Sequence, residues 1–334
     1  MFHFSKAFTG LLFFAGFLFV SSPLTAQFRW VKVDSGYGPM PAGLSLYQSE
    51  GQLNGKPFRA YYAEADLGNR SLWFSNDTSE NRRLTPSQFY EKLGHPALVV
   101  NTSFFSFQTN RNLNLVFNRK KILAYNIQTI RARGKDSLMY HHPYGSALGI
   151  RRNRTADIAW TFTDSSRKHV YALQLPVAAP KDSFPTFTKK RADEYSTIFS
   201  HKGKGRQLRK WRMQTALGGG PVLVQNGQIR ITNNEEMKFA GKAINDAHPR
   251  TGIGYTKDGK LIVMVVEGRN PGIATGATLS EFAELFQSLG CEEAMNLDGG
   301  GSSTMLINGK ETIRPSDKGG QRAVPAVFLV KGKQ

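Results

Sequence analysis

The chain has 334 residues, enough for one large domain or two ordinary ones and for a sizeable buried core. Hydrophobic residues at 40% and charged residues at 21% exclude a wholly disordered chain or a long coiled coil. The 44 Lys and Arg against 25 Asp and Glu give a formal charge of +19, which favours anionic partners, and the single cysteine, Cys291, excludes an internal disulfide framework and a thiolate metal cluster.

In chain order, the first segment predicts export. Lys6 precedes an apolar run over residues 11–20, and Ser21-Ser22-Pro23-Leu24-Thr25-Ala26 follows. A basic start, a short apolar stretch and a small residue describe a cleavable signal over residues 1–26, too short in its apolar part to span a bilayer. The mature protein is then expected to begin near Gln27 and to work in the periplasm or outside the cell. No later run is long and apolar enough to cross a membrane as a helix, and export argues against a nucleic-acid partner.

Residues 27–96 read as a β-rich lead-in, with alternating strands over 28–33 and 58–63. Thr85-Pro86-Ser87-Gln88 is a capping box with Pro in the first turn, and Gly94 closes the short helix. Residues 97–334 read as the main domain. A buried strand over 97–100 runs into Asn101, and further strands are expected near 122–125, 147–151 and 156–161. Between residues 176 and 213 basic residues gather and the apolar period fails, which reads as a solvated insertion. Asn226-Gly227 joins one hairpin and Asp258-Gly259 another. Thr278-Leu279-Ser280-Glu281 opens a helix with the stripe Leu279, Phe282, Ala283, Phe286, Leu289, and a strand over 294–297 meets Asp298-Gly299-Gly300-Gly301. The whole reads as an α+β (α/β) domain of mixed β-sheets flanked by few helices.

Spacing then brings functional groups together. A two-residue turn at Asp258-Gly259 would place Arg250 opposite Glu267. The strand, helix and strand that follow form a βαβ unit whose strands end at one edge, so Glu267 and Asp298 share it. Asn101, closing another buried run, belongs to the same candidate edge. Three consecutive glycines permit close approach of a ligand. Arg250 and Arg269 supply guanidinium forks suited to phosphate oxygens, and His248 is a modest binding candidate. Other motifs fail: residues 299–303 lack the ending of a phosphate-binding P-loop, residues 301–305 lack the last glycine of a nucleophile elbow, and adjacent His141 and His142 point to opposite faces of a strand. Cys291 reads as packed. No spacing calls for a cofactor, although Asp and Asn oxygens leave calcium open.

In Asn101-Thr102-Ser103-Phe104-Phe105, Tyr144-Gly145-Ser146-Ala147-Leu148-Gly149-Ile150, Gly218-Gly219-Gly220-Pro221, His248-Pro249-Arg250-Thr251-Gly252-Ile253-Gly254, Glu267-Gly268-Arg269, Asn296-Leu297-Asp298-Gly299-Gly300-Gly301-Ser302-Ser303 and Arg322-Ala323-Val324-Pro325, the chain resembles the phosphodiester glycosidase family. The resemblance covers roughly residues 97–330. It departs at Glu267, where the family usually has Asp, and at Ser106, where a carboxylate commonly follows the aromatics. It implies hydrolysis of a sugar-1-phosphodiester on a glycan or related anionic glycoconjugate. On that reading Asp298 and Glu267 are the candidate nucleophile or base, and Arg250, Arg269 and Arg322 hold the phosphate. Gly299, Gly300, Gly301 and Ser302 approach the substrate, with Asn101, Ser103 and His248 lining the same site. Two other readings compete: a non-catalytic binder of anionic surface glycan, and a phosphoesterase that cleaves at phosphorus.

Overall fold

A computed structural model describes Met1 and residues 28–200 and 207–333, so nearly all of the expected signal segment lies outside the described residues. Three large sheets enclose one apolar core, and every strand pair within them is antiparallel. The eight-stranded sheet runs in the order Arg29–Lys32, Leu44–Glu50, Ala60–Asp66, Lys260–Val266, Arg250–Thr256, Cys291–Asn296, Val222–Gln225, Gln228–Ile229. The lead-in strands therefore hydrogen-bond directly to the C-terminal third, since Ala60–Asp66 pairs with Lys260–Val266.

Alternation decides which layer each side chain enters. Along Lys260–Val266, Leu261, Val263 and Val265 face the core shared by the three sheets, while Ile262, Met264 and Val266 face the helix Leu279–Ser288. Both faces are buried, which explains an unbroken apolar run in an antiparallel strand. The helix is capped as its sequence predicts, with Thr278 and Glu281 exchanging hydrogen bonds, and its stripe of Leu279, Phe282, Ala283 and Phe286 is buried on the sheet. The Thr85–Gln88 capping box is likewise formed, on the helix Pro86–Lys92.

The two hairpins differ. Gln225 pairs with Gln228 across Asn226 and Gly227, both at positive φ, as a two-residue turn requires. At the second, Tyr255 pairs with Leu261, so the turn holds one residue more than expected. The Thr256 hydroxyl accepts the Lys260 N–H at 3.0 Å and donates to Asp258, and Gly259 closes the loop at φ +84°. The register therefore slips by one: Arg250 lies opposite Val266, not Glu267. A one-residue slip exchanges faces, so the expected Arg250–Glu267 neighbour pair does not form.

The strands Lys260–Val266 and Cys291–Asn296 do run in the same direction and end at one edge. Arg250–Thr256 lies between them, antiparallel to both, so the crossover helix spans an intervening strand.

The basic segment after residue 176 is more than solvated. Phe187 and Ala192, the latter on the helix Lys189–Ser200, enter the shared core, and Trp211 and Met213 cover the outer face of the seven-stranded sheet. His142, fully buried, stacks on Phe187 and holds Asp182 at 3.1 Å. Cys291 is buried, which pushes its thiol up to about 12 and fits a packing role.

Glu293 bolts two sheets together. Its Oε2 accepts the Tyr255 hydroxyl and the Ile158 N–H, each at 2.7 Å. Burial pushes its carboxyl up to about 7 against those hydrogen bonds. Because the folded value lies above the unfolded one, this group's contribution to stability falls as pH rises from about 4 to about 7. Glu293→Ala, which strands both donors, should lower the unfolding free energy by about 2–4 kcal/mol in urea titration. Glu293→Gln keeps an acceptor and should cost less, and least above about pH 7, where the wild type must hold the charge.

Candidate functional site

The shared strand edge is organised around the turn that follows Asn296. Asn101, fully buried, sits beneath it: Nδ2 donates to the Asp298 carbonyl at 2.7 Å, and Oδ1 accepts from Thr251 Oγ1 at 3.0 Å and Thr304 N at 3.1 Å. The Asp298 N–H donates to Thr102 O at 2.8 Å, and Gly300 N donates to Pro249 O at 2.9 Å. The turn is thereby pinned from both sides, to the strand ending at Asn101 and to the segment entering Arg250. Gly300 takes φ +61°, which favours glycine, and a Cβ on Gly301 would displace the Arg322 and Asp317 side-chain ends packed against it.

Asp298 is half-buried at the mouth of this turn. Burial pushes its carboxyl up to about 7, opposed by a hydrogen bond from Ser302, the charge of Arg322 and the Gly299 N–H. It is therefore a carboxylate that changes charge near neutral pH.

Cations border this turn. Arg250 is 3% exposed, and among the described residues its hydrogen bonds go to carbonyls, Nε to Ala277 O at 2.9 Å and Nη2 to Asp246 O at 3.1 Å. Among the described residues no carboxylate pairs with it. Burial and the neighbouring Arg269 depress its affinity for the proton, from the ordinary arginine value to about 10. Arg269 is exposed, adopts φ +58° and lays its guanidinium over Gly300, with Nη2 3.5 Å from His248 Nδ1. A non-glycine residue at positive φ is strained, and such strain concentrates at binding sites. Burial, with Arg250 and Arg269 alongside, holds the His248 imidazole below its usual value, so its neutral form prevails. Arg322 is gripped by Asp317 through two bonds of 2.7 and 2.8 Å and reaches Ser302 Oγ at 3.5 Å with Nη1.

The edge thus assembles Asp298, Ser302, the glycine turn, Arg250, Arg269, Arg322 and His248. Three expected site residues stand differently. Asn101 supports the Asp298 turn from below rather than lining the open wall. Ser103, 3% exposed, spends its hydroxyl on Asn112. Glu267 is 1% exposed, accepting from Asn270 Nδ2 at 2.7 Å and Arg314 N at 3.2 Å, with Arg59 Nη1 at 3.7 Å. It ties together the lead-in, the Arg269 loop and the segment at Arg314.

Residues that sequence spacing did not single out also meet here. The Phe104 ring meets Phe239 edge-on at 5.9 Å, and Arg250 Cζ lies 5.8 Å from the Phe239 centroid. Asp317 locks Arg322. Glu236, buried, takes donors from Ser146, Trp160, Val222 and Thr232. No periodicity marks these positions, because their partners come from strands far apart in the chain.

A family model described as phosphodiester glycosidase matches residues 95–331. Among curated proteins, the chain is 33% identical over 109 residues to N-acetylglucosamine-1-phosphodiester alpha-N-acetylglucosaminidase of Mus musculus, covering 30% of this chain and 21% of that protein. It is 43% identical over 81 residues to the SPbeta prophage-derived uncharacterized protein YomE of Bacillus subtilis, covering 24% of this chain and 12% of that one. The chain therefore spans about a fifth or less of the length of these relatives. Two solved structures share the fold. The zebrafish N-acetylglucosamine-1-phosphodiester alpha-N-acetylglucosaminidase catalytic domain, auto-inhibited by its pro-peptide, aligns with TM-score 0.53 at 18% identity, over 91% of this chain and 82% of that one. A hypothetical protein from Synechocystis aligns with TM-score 0.56 at 15% identity, over 92% and 68%. With most of its length matched by the family model, and with the family's motifs folded into one site, the chain belongs to the phosphodiester glycosidase family.

Proposed function

We propose that this chain is an exported hydrolase that cleaves the anomeric carbon–oxygen bond of a sugar-1-phosphodiester, freeing a reducing sugar and a phosphomonoester. The observation that carries the reading is Arg250, a buried guanidinium with no carboxylate partner among the described residues, on the same turn-lined edge as Asp298. A buried cation left without a counter-charge costs free energy unless a ligand anion completes it. A phosphodiester supplies that anion, and Arg269 adds a second fork on the open side.

The chemistry follows from what each group holds. As the anomeric bond breaks, positive charge develops on the sugar, and an ionised Asp298 faces it. The bonding electrons leave with the phosphate oxygen, whose growing negative charge Arg250 and Arg269 neutralise, so a strong proton donor is not needed. Water supplies oxygen to the anomeric carbon, and Asp298, as nucleophile or base, governs its entry. Glu267 acts as a positioning residue for the Arg269 loop, consistent with its bonds to Asn270 and Arg314. Ser302 and Arg322 orient the Asp298 carboxyl.

The purified protein should release reducing sugar from a sugar-1-phosphodiester, and in heavy-oxygen water the label should enter the sugar. Label on the phosphate instead would mark a phosphoesterase, and tight binding without turnover a glycan binder. Either result overturns the glycosidase reading.

A further inference from the structure

A cleft of about 220 Å³ opens between Phe104, Leu113, Asn114, Ile127, Pro143 and Lys238. Its wall is mainly apolar, and two charged side chains line it, Lys238 and Glu236. The Glu236 carboxylate oxygens are already taken by donors of the protein. Oε2 accepts from Ser146 Oγ at 2.6 Å and Ser146 N at 3.3 Å; Oε1 accepts from Thr232 Oγ1 at 2.6 Å, Val222 N at 2.9 Å and Trp160 Nε1 at 3.3 Å. Five donors exceed the roughly four lone-pair sites of a carboxylate. Asn114 is also committed, its amide donating to Gly219 O and accepting from Phe104 N. Among the described residues the Lys238 ammonium has no hydrogen-bond partner. It lies 5.3 Å from the Phe104 ring centroid, and burial holds its proton affinity below the ordinary lysine value despite Glu236.

The cleft adjoins the proposed phosphate site through two rings. Phe104 contacts Phe239, and Phe239 lies under Arg250. Backbone joins them too: Phe104 follows the Thr102 carbonyl that fixes Asp298, and Lys238 precedes Phe239.

We propose that this cleft is a second subsite, taking a part of the substrate beyond the scissile phosphate: an apolar stem ending in a carboxylate whose oxygens bind Lys238. The inference rests on Arg250 as the phosphate holder. A partly desolvated ammonium lacking acceptors gains most from a charged one, and the apolar wall accommodates the stem.

Hexyl phosphate and its ω-carboxy analogue, titrated calorimetrically into the full protein, separate the two sites. The carboxylated ester should bind about tenfold or more tightly than hexyl phosphate, as one charge-assisted hydrogen bond allows. Lys238→Met should erase that preference and leave hexyl phosphate affinity unchanged, while Lys238→Arg should retain most of it. Arg250→Met should weaken both esters alike. Equal affinity of the two esters for the wild type, or a preference that survives Lys238→Met, overturns the subsite. Insensitivity of both esters to Arg250→Met overturns the phosphate assignment instead and leaves a Lys238-dependent preference standing. Loss of the preference in Lys238→Arg as well, with that variant folded by circular dichroism, also counts against a charge-mediated contact.

Discussion

Asp298→Asn should cut turnover by orders of magnitude and, at the same time, make the protein more stable above neutral pH. The two effects have one cause. Burial at the mouth of the glycine turn raises the Asp298 carboxyl to about 7 from its ordinary 3.8. Ionisation is thus unfavourable in the folded state, and that unfavourable charge is the reactive form. Between about pH 4 and pH 7 the folded protein binds the proton more tightly than the unfolded chain does, so the stability contributed by this group declines as pH rises. The full shift corresponds to roughly 4 kcal/mol, and partial solvent access reduces it to about 2 kcal/mol. Asn keeps the shape and an acceptor for Ser302 without the charge. Near pH 8 the variant should therefore exceed the wild type by about 2 kcal/mol in denaturant titration, and the gap should close only as pH falls to about 4. Activity should fall by about 10²–10⁴, the range for loss of a positioned acid or base. In the wild type, log kcat/KM should rise with unit slope up to a plateau whose midpoint lies near 7. Activity that persists in Asp298→Asn, or a profile flat across this range, would remove Asp298 from the chemistry.

Much of this site was legible because chain connectivity forces it. The Glu281 capping box and the stripe of Leu279, Phe282 and Phe286 define a helix of the right length to carry the chain back, so the strands on either side end together. The convergence of Asp298 with Arg250 follows from that topology rather than from any side-chain detail. The register did not follow. Asn226-Gly227 makes the tight turn its composition indicates, whereas at Asp258-Gly259 the Thr256 hydroxyl captures the Lys260 N–H and admits one residue more. A side-chain-to-backbone bond of this kind competes with the ladder, and composition does not reveal which wins. That single bond moves Arg250 to the other face from Glu267. Asn101 illustrates a second limit. Spacing brings it to the edge, but only the three bonds at Asp298, Thr251 and Thr304 show that it works from underneath. Glu236 and Lys238 were beyond reach, since what distinguishes them is a count of donors contributed by four separated segments.

Arg250→Met should produce the second large effect, and its sign on stability separates a ligand site from a structural cation. A structural arginine neutralises a carboxylate, so removing it strands the partner and destabilises by about 3–5 kcal/mol. Among the described residues the hydrogen-bond partners of Arg250 are carbonyls, and Ala277 O retains the His248 N–H at 3.1 Å when the guanidinium goes. Methionine fills much of the same space and removes the repulsion with Arg269. The ligand-free variant should therefore match or exceed the wild type in thermal midpoint. Inorganic phosphate tests the other half. Saturating the wild type at a hundredfold excess over its Kd should add about 2.7 kcal/mol of stability, and the variant should show little of that gain. Turnover should drop by about 10²–10³, as when one donor to a developing negative charge is lost. Arg250→Lys should recover part of the phosphate stabilisation, because a point charge replaces the fork but not its geometry. If Arg250→Met unfolds the protein while phosphate still stabilises what remains folded, the guanidinium is a strut, and the anion must be bound by Arg269 and Arg322 alone.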